Sequence, residues 1–280
     1  PEVWRNRTET PETKQRFLTK FSPPEFIIAL DELLEKEGID ILYDTVFSTP
    51  VMEDGVCRGI IVEDKSGRVG YTAKVVVDTT GDADVMKRAG AACADADNWL
   101  SYWAYKTNLN KMKHALEKGN VADGIILKWW GGINTGEAAP KKYRGGDEEA
   151  PVTVKQKYTA TSASEVTRFI LDGRKLVLED LSENPADKMS SSLLALPGMP
   201  QFRTTRRICG YYELTEEDIF KHFEDSIGCT CDWRKAGPIF EIPYRTLIAP
   251  GIKNIITAGR TIASKGDAWE VTRVIPPASM

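Results

Sequence analysis

Two short β-branched runs, each followed at once by a turn containing glycine, constrain the fold of this chain more than any other feature. The first is VVVDTTGD at residues 75–82, and the second is IITAGR at residues 255–260. An uninterrupted run of this kind is expected of a strand buried on both faces. In open α/β sheets ligands bind beyond the carboxyl ends of such strands, where glycine lets backbone N–H groups approach them. Each turn taken alone fits an ordinary strand-to-helix connection equally well.

The segment before the first run predicts one helix and an antiparallel meander. Ser22 followed by two prolines predicts a capped helix start, and apolar residues at helical spacing continue the helix to residue 37. Short β-type runs follow at residues 39–47, 56–63 and 69–73, separated by Asp54-Gly55 and by a turn at residues 65–67. A short helix is predicted at residues 83–89, after the first glycine turn.

The middle of the chain has a different residue composition and pattern, which predicts an inserted domain. Residues 91–200 cluster aromatic side chains and contain one strong helix, predicted at residues 164–182. The Trp-Trp-Gly-Gly sequence at 129–132 is interpreted as a loop. The fold class is therefore α/β, with an α+β substrate or cap domain inserted at 91–200 between two parts of one domain at 1–90 and 201–280. In the last part, residues 202–213 are predicted to be extended, and Thr215 to cap a short helix.

Composition excludes several function classes. The chain has 41 acidic and 37 basic residues, so a nucleic acid or an anionic membrane is not expected as a partner. Five cysteines spread over 280 residues form no disulfide framework, which favours a reducing compartment and predicts a cytoplasmic protein. Two histidines exclude a His-rich metal site, and we predict no metal.

Several motifs together resemble one family. Residues 73–84 resemble the second FAD-binding element of FAD-dependent oxidoreductases of the glutathione-reductase-like superfamily, and the preceding meander is similar to that family too. The carboxyl-terminal part adds IPYRTL at 242–247, NIITAGR at 254–260 and RVIP at 273–276. RRICGYY at 206–212, followed by LTEED, matches a further recurrent stretch. The resemblance covers roughly half the chain and leaves residues 91–200 mostly unmatched.

The resemblance implies a partial FAD/NAD(P)-binding Rossmann-like domain, with hydride transfer between bound FAD and a small organic substrate. The inserted domain would cover the isoalloxazine ring and hold the substrate, while the protein supplies orientation and charge near the ring. The residues that the resemblance places along FAD, from adenine through pyrophosphate to flavin, are Thr45, Val46, Thr79, Thr80, Gly81, Asp82, Gly259, Arg260 and Arg273.

Two elements of the family pattern are missing from this sequence. No strand followed by GxGxxG is present, and the glycines between residues 131 and 136 follow no predicted strand. The Gly/Ala-rich helix that should follow residues 273–276 is absent too. We therefore expect a truncated chain that binds FAD weakly or not at all and is inactive alone. The alternative is a non-catalytic binding or structural module that keeps the scaffold without the cofactor.

Charged residues supply the remaining candidates. Arg203, Arg206 and Arg207 could bind a substrate carboxylate through the arginine fork, or they could form an ion-paired strand face. Asp82 and Asp84 could act as acid and base, but capping of the following helix is the preferred interpretation. The sequence assigns no catalytic residue, substrate identity, electron acceptor or oligomeric state.

Overall fold

The computed structural model describes residues 22–131, 157–183, 189–233 and 237–280. The chain divides into a first unit that ends at Thr45 and a second unit, Val46–Met280. In these ranges no helix combines the length and the apolar character that a membrane crossing requires. Most of the stretch at 131–136, whose glycines the sequence analysis rejects as a GxGxxG element, lies outside the described residues.

The helices and strands have the following bounds. The helices are α1 (Pro23–Lys36), α2 (Asp84–Arg88), α3 (Leu109–Lys118), α4 (Ala163–Glu183), α5 (Gly266–Thr272) and α6 (Ile275–Ala278). The strands are β1 (Val46–Glu53), β2 (Val56–Asp64), β3 (Gly67–Thr72), β4 (Val76–Asp78), β5 (Cys93–Asp95), β6 (Asn98–Trp99), β7 (Ser101–Asn108), β8 (Ile126–Gly131), β9 (Lys157–Tyr158), β10 (Ser191–Ala195), β11 (Arg206–Ile208), β12 (Ser226–Cys231), β13 (Ile239–Pro243) and β14 (Ile255–Thr257).

The first unit contains α1, which confirms the helix predicted from Pro23 and places its end one residue earlier. Ser22 occupies the N-cap position, but its side chain makes no capping bond to a described residue, so proline alone starts the helix. The strand predicted from residue 39 is wrong over 39–45. Asp44 adopts a φ of +49°, which breaks the extended backbone before β1.

The second unit begins with the predicted meander. Strands β1, β2 and β3 form an antiparallel sheet in that order, and the hairpin between β1 and β2 turns at Asp54 and Gly55. Both turn residues have positive φ, +49° and +77°, as a two-residue hairpin of type I′ requires. The meander prediction is therefore confirmed.

Strands β4 and β14 pair in parallel, with Ile255 opposite Val76 and Thr257 opposite Asp78. The predicted burial of the first run on both faces is wrong for the described residues. Val76 and Asp78 are buried, whereas Val75 and Val77 are each 55% exposed. The reason is that only one face of this two-stranded pair is covered, by α2 and by buried side chains such as Cys57 and Ile208.

Asn254 ties this strand pair to the meander. Its Oδ1 accepts the Cys57 N–H at 2.7 Å, and its Nδ2 donates to the carbonyls of Cys57 and Lys74 at 2.8 Å each. The side chain therefore fills the hydrogen-bonding positions of three backbone groups at the point where β14 begins. Because β4 starts two residues after Lys74, Asn254 also fixes where the parallel pairing begins.

The middle of the chain forms a sheet of order β10-β7-β8, with α4 packed against β7 and β8. Helix α4 confirms the helix predicted at 164–182 within one residue at each end. The loop predicted at Trp129 and Trp130 is wrong, because both lie in β8. They pair with Trp103 and Tyr102 of β7, and such cross-strand aromatic pairs stabilise a strand.

In the described part of the second unit, buried side chains form three clusters. One joins Cys57, Val76 and Met86 to Ile208 and Ile255. The second is drawn wholly from residues 100–202, and the third from residues 214–271. The first cluster mixes residues from before 90 and after 200, and the second does not, which is the pattern an inserted domain would give. The domain boundaries remain a prediction.

The carboxyl-terminal part departs from its predicted elements. Of the extended segment predicted at 202–213, only β11 is a strand, and it pairs with β5. Thr215 caps a short 3-10 helix through a capping box with Asp218, as predicted. Helices α5 and α6 were not predicted, and α6 follows Arg273, where no helix was expected.

Replacement of Asn254 by alanine should destabilise the second unit by about 2–4 kcal/mol, because three backbone groups lose their partner. Asn120→Ala is the control, since that side chain accepts one hydrogen bond at an exposed helix start, and it should cost below about 1 kcal/mol. Urea unfolding of both variants measures the difference. Equal losses would show that Asn254 does not fix the strand pair.

Candidate functional site

The parallel pairing of β4 and β14 brings the two glycine turns together at the carboxyl ends of these strands, which form one edge of the strand pair. Thr257 lies opposite Asp78 as each strand ends, and the Ala258 N–H donates to the Asp78 carbonyl oxygen at 3.1 Å. The Thr257 hydroxyl donates to the same oxygen at 3.3 Å. Because both strands run the same way, the residues after each strand leave at the same edge.

The buried carboxylate of Asp78 holds the first turn in shape. It accepts hydrogen bonds from the Thr80 N–H at 3.1 Å, from the Thr80 hydroxyl at 2.7 Å and from the Met86 N–H at 2.9 Å. The Thr80 hydroxyl oxygen in turn accepts the Asp84 N–H at 2.9 Å. This network satisfies two N–H groups at the start of α2, so Asp78 and Thr80 do the capping that was expected of Asp82 and Asp84.

The two turns contact each other through Gly81, Asp82 and Arg260. The Arg260 Nη2 donates to the Asp82 Oδ1 at 3.0 Å. Gly81 has a φ of +84°, and a Cβ placed there would lie 2.8 Å from the Arg260 Nη2. Glycine is therefore required at residue 81 both by the backbone conformation and by the closeness of the guanidinium.

Three donors at the two turns have no hydrogen-bond partner within the described ranges. Among the described residues, the backbone N–H groups of Gly81 and Gly259 have no hydrogen-bond partner, and neither has the buried Nε of Arg260. Backbone N–H groups and a guanidinium that converge at one edge are suited to an oxyanion such as a phosphate. The residues present therefore fit the pyrophosphate of a dinucleotide. Thr79 and Thr80 are exposed beside them.

Arg273 lies at the end of α5, and this helix rests on the second turn. The Trp269 indole N–H donates to the Arg260 carbonyl oxygen at 2.7 Å. One helical turn further on, Arg273 donates from Nε to a Glu270 carboxylate oxygen at 3.0 Å, and Nη2 contacts the same oxygen. Sequence reasoning missed Trp269 and Glu270, because the segment 266–272 was not predicted to be a helix.

For Thr45 and Val46, which are predicted to contact adenine, the observed contacts do not test that role. Thr45 donates its hydroxyl to the Tyr43 carbonyl oxygen within the first unit. Val46 opens β1 opposite Glu63. Their predicted contact with adenine stays a prediction.

The structure separates the three predicted arginines. Arg206 is ion-paired with Asp95 at 2.8 Å and with Asp84 at 3.4 Å. Arg207 is ion-paired with Glu213 and lies over the Trp269 ring, 5.5 Å from its centroid. These two arginines follow the ion-paired alternative.

Arg203 differs from its two neighbours. Its Nη1 is buried with no hydrogen-bond partner among the described residues, and its guanidinium lies 5.5 Å from the centroid of the Trp129 ring. Burial, reinforced by the charge of Arg273, lowers the pKa of Arg203 to about 10.

Asp84 differs from the other carboxylates at this edge. Burial raises its pKa, the charge of Asp82 adds to the rise, and the charge of Arg206 opposes it. Asp82 is bound to Arg260 and Asp84 to Arg206. The two carboxylates are thus held by different arginines, and the structure shows no hydrogen bond between them within the described ranges.

Fold and site together define a mixed α/β protein whose described site is the edge where two parallel strands end in glycine turns. This is the kind of edge at which α/β proteins bind ligands.

The family model described as FAD dependent oxidoreductase matches residues 2–280, and the chain belongs to that family. The family resemblance drawn from the motifs is therefore confirmed. The match also spans residues 91–200, which the motifs had left mostly unmatched. No match was found among curated proteins or among solved structures.

Replacement of Gly81 by alanine should lower the free energy of unfolding by about 1–3 kcal/mol and displace Arg260 from Asp82, because the new Cβ meets the guanidinium in a strained backbone. Gly70→Ala is the matched control, since Gly70 has no positive φ and open space around it. Thermal unfolding of the two variants measures the difference. If they lose the same stability, the close approach of Arg260 is wrong.

Proposed function

We propose that this protein is an FAD-dependent oxidoreductase that transfers a hydride between bound flavin and a small organic substrate. The observation that carries the proposal is the junction of the two glycine turns, tied by the Arg260–Asp82 ion pair at the edge of β4 and β14. Membership of the FAD dependent oxidoreductase family supports flavin-linked redox chemistry in general. When bound, FAD supplies that chemistry through its isoalloxazine ring.

Three donors would hold the FAD pyrophosphate. The N–H groups of Gly81 and Gly259 have no partner among the described residues, and the buried Nε of Arg260 is unpaired as well. Asp82 already holds Arg260 in place through Nη2, so the guanidinium is oriented before the ligand arrives. A donor that is already ordered loses less conformational entropy on binding.

Thr79 and Thr80 would lie along the adenosine side of the cofactor. Both side chains are exposed, and the Thr80 backbone is fixed by Asp78. Arg273 would lie toward the flavin end, because α5 links it to the Arg260 turn through Trp269. The same proposal includes that the β4–β14 pair is part of a Rossmann-like FAD-binding domain.

Residues 91–200 would form the domain that covers the flavin and holds the substrate. Support comes from a separate cluster of buried side chains, which includes Tyr102 and Phe169 of this range together with Phe202 just after it. Support comes also from Trp129 of β8, whose ring contacts Arg203. The alternative of a non-catalytic module is not favoured by the family match.

FAD titration tests the proposal. The protein, purified in its longest native form, should show flavin absorption bands or acquire them with added FAD. Arg260→Gln should weaken FAD binding by about tenfold or more, because it removes charge-assisted hydrogen bonds. Arg58→Gln is the control, because it makes the same charge change at an exposed side chain of β2, and it should bind FAD as the wild type does.

Two outcomes would contradict this account. If the native protein neither holds nor acquires flavin, the proposed function is wrong. If Arg260→Gln and Arg58→Gln bind FAD equally well, the two turns are not the cofactor site. Titration of residues 1–280 alone separately tests the expectation that this chain binds FAD weakly.

A further inference from the structure

Arg203 is half-buried, and one nitrogen of its guanidinium is buried without a hydrogen bond to a described residue. Its Nη1 is shielded from solvent and has no partner among the described residues. A guanidinium offers five N–H donors, and a buried charge is costly unless it is paired and hydrogen-bonded. Arg206 and Arg207, on the neighbouring strand β11, both have carboxylate partners at their guanidinium groups. Arg203 therefore stands apart from the other two members of the predicted trio.

The charges around Arg203 do not balance. Its electrostatic neighbours are Arg273 and Glu270. The Glu270 carboxylate already accepts from both Nε and Nη2 of Arg273, and these two side chains are only 12% and 11% exposed. Within the described residues Glu270 is ion-paired with Arg273, and no ion pair joins it to Arg203. The group carries one excess positive charge in a largely buried place.

The position of this group connects the middle of the chain with the cofactor edge. Trp129 of β8 lies against the Arg203 guanidinium, and Glu270 lies on α5. The residue before Glu270 is Trp269, which bonds the Arg260 carbonyl oxygen in the second turn. The seven-residue helix α5 thus contacts the Arg260 turn through Trp269 and Arg273 through Glu270.

We propose that Arg203 binds the carboxylate of a small organic acid, with the Trp129 ring as the apolar wall of the site. The planar arginine fork matches the geometry of a carboxylate. One negative charge neutralises the excess charge of the group, whereas a phosphate dianion would exceed it. The identification of this acid as the substrate rests on the proposed oxidoreductase function. Recognition by Arg203 rests on the contacts above.

Propionate is the probe, and propionamide with an equal concentration of sodium chloride is its neutral control. The melting temperature of the protein is measured without added FAD. At about ten times its dissociation constant, propionate should raise the melting temperature by about 2–4 °C relative to the control. Arg203→Gln should abolish this rise. Arg203→Lys, which keeps the charge but not the fork, should reduce it at least by half.

Arg174→Gln is the matched control, because it makes the same charge change on the exposed side of α4. It should keep the full rise. If Arg203 had only a structural role, its replacement would lower the melting temperature of the protein without ligand. We therefore expect Arg203→Gln alone to melt no lower than the wild type, because an unpaired buried charge has been removed.

The inference is overturned if propionate and propionamide give the same melting temperature, if Arg203→Gln keeps the rise, or if it melts lower without ligand. Because no FAD is added, and each variant is compared with and without propionate at the same flavin content, these results do not depend on flavin binding. A protein that binds propionate but no flavin would contradict only the proposed function. One that binds flavin but not propionate would contradict only the carboxylate site.

Discussion

The parallel pairing of β4 with β14 is the interaction on which the candidate site depends. It joins Asp78 and Thr257, which are 179 residues apart in the sequence, and sets their following turns side by side. Asn254 fixes the start of the pair, and Asp78 fixes the shape of the first turn. Because the strand pair and the first turn are held in this way, Gly81 lies so close to Arg260 that no larger side chain fits at residue 81. The unpaired donors of both turns then lie at the same end of the strand pair.

Helix α5 extends this organisation beyond the strand pair. Trp269 holds it to the Arg260 turn, while Glu270 holds Arg273 in the arginine group. This helix thus lies between the proposed phosphate site and the proposed carboxylate site. A flavoenzyme that oxidises or reduces an organic acid needs both kinds of recognition, one at the pyrophosphate in the middle of the cofactor and one near the isoalloxazine ring.

Local sequence signals predicted much of the fold, and tertiary contacts account for the failures. The hairpin at Asp54-Gly55 and the helix that begins at Pro23 follow from local backbone preferences, and both are present. The strand at Trp129 was missed because its partner Trp103 lies elsewhere in the sequence. The exposure of Val77 could not be read from a β-branched run, since the run does not show which elements cover each face. Likewise, the ion pairs of Arg206 and Arg207, and the lack of one at Arg203 within the described residues, depend on the packing of distant segments.

Hydrogen–deuterium exchange of the native protein, with and without saturating FAD, tests the central claim most directly. If the two turns form one floor beneath the cofactor, the amides of residues 79–82 and 259–261 should slow together when FAD is added, while those of the exposed helix α3 stay unchanged. Slower exchange at only one turn, or only at residues far from both, would contradict the shared site and with it the assignment of FAD to this edge.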